Sequence, residues 1–193
     1  ARVLGRPRRD PGAHVVSALP TVAAFDVDGT ITTRDCVVPF MRRIAGARRI
    51  VPRLGVRPDR LVPVIAGRDR DRLKALAAAA AFRGQRYDDL CTAGVAFAQM
   101  VHERWLRTDT LATLQRHIAD GDRTVLVSAS FEVYLRPLAE LLGVDGVLAT
   151  RLDVRDGIVT GGLDGPNCRG PEKVVRLHEW LGDRSGVHLV AYG

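Results

Sequence analysis

Cysteine is scarce: Cys36, Cys91 and Cys168 are the three in 193 residues, far apart and in no CxxC pair. An odd, scattered set argues against a disulfide framework and against a zinc site, and it favours a reducing, cytoplasmic compartment. Aromatic residues amount to 5%, too few for a platform on which single-stranded nucleic acid could stack, so no nucleic-acid partner is expected. The five histidines, His14, His102, His117, His178 and His188, lack metal-ligand spacing. No apolar run approaches the about 18 residues of a membrane-spanning helix. Residues 1–19 carry Arg2, Arg6, Arg8 and Arg9 between Pro7, Pro11 and Gly12 without an apolar core; they read as a basic flexible tail with no export signal. Lysine is nearly absent too, since Lys74 and Lys173 are the only two among 29 basic residues.

What is present is globular in composition, with 46% hydrophobic and 26% charged residues, enough for one good core. The net charge of +7 leaves room for phosphates, nucleic acid or an anionic lipid surface. Arginines interspersed with aspartates also fit a plain solvated surface.

Helical periodicity runs from Asp35 to about Arg49, from Asp69 to Phe82 and from Tyr87 to Trp105, separated by Pro52, Gly55, Pro58, Pro63 and Gly67. From Thr108 the pattern becomes helix (Asp109 to Ala119), strand (Arg123 to Ser128), helix (Phe131 to Gly143), strand (Gly146 to Ala149), hairpin, helix (Pro171 to Gly182) and strand (Val187 to Tyr192). The hairpin is written as two β-rich runs, Leu148 to Val154 and Ile158 to Leu163, around Asp156-Gly157. Such βα alternation predicts an α/β fold: a Rossmann-like parallel sheet flanked by helices, with a small β-hairpin. The core comprises residues 20–35 and 108–193, and residues 36–107 form an inserted all-helical cap.

The opening strand, Val22 to Val27, is a nearly continuous apolar run, as in a strand buried on both faces. It ends in "DVDGT", which places Asp26 and Asp28 on one face at the carboxyl end, where open parallel sheets bind ligands. Two desolvated carboxylates repel each other and call for a cation. Ser128, Ala129 and Ser130 follow the second predicted strand, and Lys173 lies in the first turn of the last helix. Two acids, a hydroxyl and a cation suit phosphoryl transfer through an aspartyl phosphate, with Gly29 and Thr30 beside them to bind phosphate. Mg2+, which prefers one or two carboxylates plus substrate phosphate, relieves the repulsion. In so arginine-rich a chain, Lys173 suggests a need for a compact point charge, with Arg169 as the alternative cation. Asp35 serves equally as a helix N-cap, and Phe82 as a core residue.

"DVDGT", "VLVSAS" and "NCRGPEK", in that order, resemble the haloacid-dehalogenase superfamily, subfamily IB, in its phosphoserine-phosphatase-like branch. The resemblance implies Asp26 as nucleophile and metal ligand, and Asp28 as general acid and base that gives its backbone carbonyl to Mg2+. Ser128 and Lys173 would hold the phosphoryl group, as would Gly29, Thr30 and Ala129; Asp35, Phe82 and Arg83 fall where that branch contacts substrate. Three positions depart from it. Ala129 and Ser130 stand where that branch has glycines, Asp35 stands where it has a glutamate, and an acidic fourth motif is not reached by Gly193. The sequence is therefore expected to be cut before that motif, with weak Mg2+ binding and low turnover until it is restored. The expected activity is Mg2+-dependent hydrolysis of a small phosphorylated metabolite. Alternatives are a lipid head-group phosphate reached by peripheral membrane contact through "FMRRIAGARRIVPRLGVR", or a non-catalytic basic nucleic-acid-binding module.

Overall fold

The computed structural model describes residues 19–45, 70–182 and 186–193, with side chains from residue 74 onward in the second helix. The basic tail, the predicted helix beyond residue 45 and most of the alternating apolar and basic stretch fall outside the described residues. In chain order the elements are β1 (Thr21–Phe25), α1 (Val37–Ala45), α2 (Arg70–Phe82), α3 (Tyr87–Arg104), α4 (Thr108–Ala119), β2 (Arg123–Phe131), α5 (Glu132–Leu142), β3 (Gly146–Arg155), β4 (Ile158–Asp164), α6 (Pro171–Leu181) and β5 (His188–Tyr192). The sheet order is β4-β3-β2-β1-β5. All neighbours are parallel except β3 and β4, which pair as the antiparallel hairpin.

Alternate residues of the central strands feed two separate cores. Ala23, Phe25 and Leu126 join the larger one with α5 and the inserted helices, whereas Val22, Ala24, Val125 and Val127 meet Leu177, Trp180 and Cys168 on the α6 side. Burial on both faces explains why β1 and β2 lack polar alternation up to the site. β2 runs on to Phe131, past the predicted end at Ser128, with a register irregularity against β3 between Val127 and Phe131. That irregularity re-aims the side chains of Ser128 and Ser130 within a strand that remains extended. β3 is likewise one strand where two pieces were expected, because nothing before Asp156 breaks its β-rich run. The reversal uses positive φ at Asp156 (49°) and Gly157 (74°), as a two-residue hairpin requires.

Among the described residues, the helices inserted between β1 and α4 meet the rest of the protein through an aromatic cluster and through backbone pairing. Tyr134 of α5 lies among Phe40 (centroids 4.7 Å apart) and Phe97 (5.2 Å), and Phe82 meets Phe131 at 5.2 Å. The loop from α2 to α3 pairs with the hairpin through Gly84 N–H to Val159 O (2.9 Å), Val159 N–H to Gln85 O (2.9 Å) and Tyr87 N–H to Gly157 O (2.8 Å). α3 crosses α5 so closely that a Cβ on Gly94 would lie 2.2 Å from the Val133 carbonyl oxygen. Backbone cannot yield as a flexible side chain can, so Gly94→Ala should cost about 2 kcal/mol. A thermal melt should show this as a fall of about 4–8 °C in Tm for a chain of this size; an unchanged Tm would contradict the packing.

Candidate active site

β1 delivers Asp26 to the carboxyl end of the sheet: its N–H still donates to Tyr192 O of β5 (2.8 Å), so the backbone is pinned just past the strand. The chain then turns. Thr30 N–H and Thr32 N–H both donate to Val27 O (3.1 and 2.9 Å), and Gly29 takes φ 85°, a conformation costly for other residues. Asp26 Oδ1 accepts from Val27 N–H (2.7 Å), and Oδ2 faces Lys173 Nζ at 2.8 Å. The side chains are 32% and 26% exposed, so solvent screens the pair and its net contribution to stability is modest, about 0–1 kcal/mol. Lys173 lies in the first turn of α6, the end of a helix where a cation is disfavoured. Its position is explained by the carboxylate opposite; Arg169, the other predicted cation, lies exposed in the preceding loop.

Asp28 is held differently. Oδ1 accepts from Cys36 N–H (2.8 Å) at the entry to α1, and Oδ2 accepts from Ser130 Oγ (2.6 Å), whose oxygen in turn accepts from Tyr134 OH (2.7 Å). Burial pushes the Asp28 carboxyl above its ordinary range; the Ser130 and Cys36 hydrogen bonds oppose that push without cancelling it. Burial, followed by the charge of Asp28, also drives the Cys36 thiol far up, so Cys36 is no thiolate nucleophile.

Ser128 is buried, and its Oγ accepts from Ser130 N–H (3.0 Å). The carbonyl of the same 129–130 peptide accepts from Thr150 Oγ1 (2.9 Å) and from Lys74 Nζ, which reaches over from α2. Lys74 also donates to Asn167 Oδ1 (2.8 Å) and sits 4.6 Å from the centre of the Phe131 ring. Both lysines of the chain thus meet the ends of β1 and β2. Of the remaining predicted residues, Thr30 is half-buried and Asp35 is exposed, accepting from Val38 N–H (3.2 Å) as a cap of α1. Phe82 is fully enclosed between Phe40 and Phe131, and Arg83 is exposed beside Gly161. Ser130 Oγ, Tyr134, Lys74, Thr150 and Asn167 were not foreseen; the serine at position 130 and the rarity of lysine were the available signals.

A cavity of about 260 Å³ adjoins the ion pair, lined by Phe25, Asp26, Val127, Lys173, Leu177 and Tyr192 among others. A larger one, about 410 Å³ between α5 and α6, includes neither carboxylate. Among the described residues no three His, Cys, Asp or Glu side chains gather into a metal cage. The donors at the site are oxygen atoms of two aspartates, a set that fits Mg2+ completed by water and substrate phosphate and does not fit a soft metal.

Comparison with known proteins bears on the family and the fold. The sequence pattern of the haloacid dehalogenase-like hydrolases matches residues 23–193. Protein CicA of Caulobacter vibrioides (strain NA1000 / CB15N) is 37% identical over 164 residues, spanning 84% of this chain and 73% of that protein. A Bordetella pertussis Tohama I protein of solved structure shares the fold with a TM-score of 0.66 and 24% identity, over 85% of this chain and 75% of its own. A phosphoserine phosphatase solved as a phospho-aspartyl intermediate analogue aligns with a TM-score of 0.57 and 18% identity, covering 90% of this chain and 78% of its own.

The raised Asp28 carboxyl has a consequence for stability. The folded protein binds that proton more readily than the unfolded chain does, so stability is lost as pH rises from the ordinary value of 3.8 through the raised one. Without added divalent metal, Asp28→Asn should raise the urea midpoint at pH 7, and the gain should vanish as pH falls toward 3.8. A variant less stable than wild type at pH 7 would contradict this.

Proposed function

The chain belongs to the haloacid dehalogenase-like hydrolase family, and on that premise we propose that it is a Mg2+-dependent phosphomonoesterase of the phosphoserine-phosphatase-like kind, working through an aspartyl phosphate on a small phosphorylated metabolite. The observation that carries this reading is the unlike partners of two aspartates two positions apart: Asp26 faces an ammonium at 2.8 Å, while half-buried Asp28 is held by the Cys36 N–H and the Ser130 hydroxyl and pushed by desolvation toward its acid form. Pairs of acids held in unlike environments take unlike roles.

Asp26 supplies the attacking oxygen and is phosphorylated, its new O–P bond forming as the ester P–O bond breaks; Asp28 gives its proton to the departing alcohol oxygen. In the second half, Asp28 takes a proton from the attacking water, phosphate leaves, and Asp26 returns to a carboxylate. Lys173 Nζ, Ser128 Oγ and the backbone around Gly29, Thr30 and Ala129 hold the phosphoryl oxygens. Bound through Asp26 and the Asp28 backbone carbonyl, Mg2+ would neutralise charge between nucleophile and phosphate. The inserted helices, residues 36–107, act as the cap that excludes water, with exposed Asp35 and Arg83 available to read the substrate and Phe82 shaping the wall behind them. No helix among the described residues is long and apolar enough to cross a membrane. All three cysteines are free, which supports a reducing, cytoplasmic setting.

Hydrolysis of phosphorylated metabolites should require Mg2+, disappear with EDTA and return when Mg2+ is restored. Asp26→Asn should lower kcat/KM by at least about 10³-fold, since it removes the nucleophile, and Lys173→Met by about 10²-fold. Activity insensitive to Asp26→Asn would refute the mechanism.

A further inference from the structure

Tyr134 is 1% exposed and wedged among aromatic rings, where phenylalanine would fill the same space without a buried hydroxyl to satisfy. Its OH donates to Ser130 Oγ at 2.7 Å, and Ser130, itself fully buried, donates to Asp28 Oδ2 at 2.6 Å. The chain of hydroxyls therefore ends on a carboxyl group of the site. Asp28 Oδ1 is taken from the other side by Cys36 N–H at 2.8 Å. Two donors on two oxygens fix both the position and the plane of the carboxyl group. One donor comes from the end of β2 and the other from the start of α1. The ring of Tyr134 is gripped by Phe40 of α1 and Phe97 of α3, so seating of the inserted helices is transmitted to Asp28 through the hydroxyls as well.

We propose that Ser130 and Tyr134 are positioning residues: a two-hydroxyl relay that holds the Asp28 carboxyl group in the orientation from which it protonates the leaving alcohol oxygen. The proposal rests on the phosphatase reading above. In the step concerned, the O–H bond on Asp28 breaks as the ester P–O bond breaks, the proton goes to the departing oxygen, and Asp28 is left as a carboxylate. Neither hydroxyl gains or loses a proton overall. The donor direction seen here, Tyr134 to Ser130 to Asp28, is the one that receives that carboxylate. The serine at 130 thus has a task that a glycine at this position could not perform.

Ser130→Ala and Tyr134→Phe each delete one hydroxyl with little change in volume. The test compares kcat/KM, which reports events up to departure of the alcohol, for an alkyl phosphate and for p-nitrophenyl phosphate. An alkoxide needs a proton to leave, and p-nitrophenolate does not. Ser130→Ala should lower kcat/KM for the alkyl ester by at least about tenfold and for the aryl ester by less than about threefold, with Tyr134→Phe showing the same split more weakly. Equal losses on both esters would mean a merely structural role and overturn the proposal. A second measurement is independent of turnover: urea midpoints of Ser130→Ala, Asp28→Asn and the double variant, without added metal. Non-additive shifts are expected for a coupled pair, and additive shifts overturn the coupling. If wild type hydrolyses neither ester, with or without a C-terminal extension that carries the acidic fourth motif, the phosphatase reading fails, and the unfolding cycle alone decides whether Ser130 holds Asp28.

Discussion

Two aspartates separated by one residue follow a strand buried on both faces, where a carboxylate that loses hydration needs a partner. The chain resolves this with two unlike solutions. Asp26, partly exposed, meets the ammonium of Lys173, which the first turn of α6 brings across from the other side of β1. Asp28, half-buried, receives a backbone N–H and a hydroxyl and is driven by desolvation toward its neutral form. The asymmetry comes from burial and partners, since the residue type is the same at both positions.

The remaining architecture serves to keep those partners in place. The pairing of β1 with β5 anchors Asp26 through Tyr192 O, and stacking of Phe25 on Tyr192 (centroids 4.5 Å) holds that edge together. The register irregularity at the end of β2 brings Ser128 and Ser130 into one hydrogen-bonded pair. The inserted helices are tied to the core by an aromatic cluster around Tyr134 and by backbone pairing with the β3–β4 hairpin. Lys74 adds a polar tie from α2 to the carbonyl of Ala129 and to Asn167.

Much of this was legible in the sequence where the signal was local. An apolar run ending in "DVDGT" placed Asp26 and Asp28 at a strand terminus, the βα alternation gave the parallel sheet, and Asp156-Gly157 marked the reversal to β4. Lysine scarcity drew attention to Lys173, with Arg169 as the alternative, and in the structure Lys173 is paired with Asp26. What escaped were relations between distant segments. Asp28 and Ser130 lie 102 positions apart, and nothing in either segment alone states that the hydroxyl points at the carboxylate. Tyr134 looks like any apolar helix residue until its hydroxyl is followed to Ser130. The end of β2 was placed three residues early because the serines suggested a loop, whereas pairing with β3 at Phe131 keeps the segment extended. The role of Lys74 is not written in its own segment, since its reach to Asn167 spans 93 positions.

The account stands or falls on whether Asp26 accepts a phosphoryl group. Acid-quenching the chain during turnover of a phosphorylated substrate with Mg2+, treating it with hydroxylamine and mapping the product by peptide mass spectrometry tests this directly. A hydroxamate at Asp26, absent when substrate is omitted, is the predicted result. Modification at another residue, or turnover without any acyl phosphate on Asp26, would contradict it.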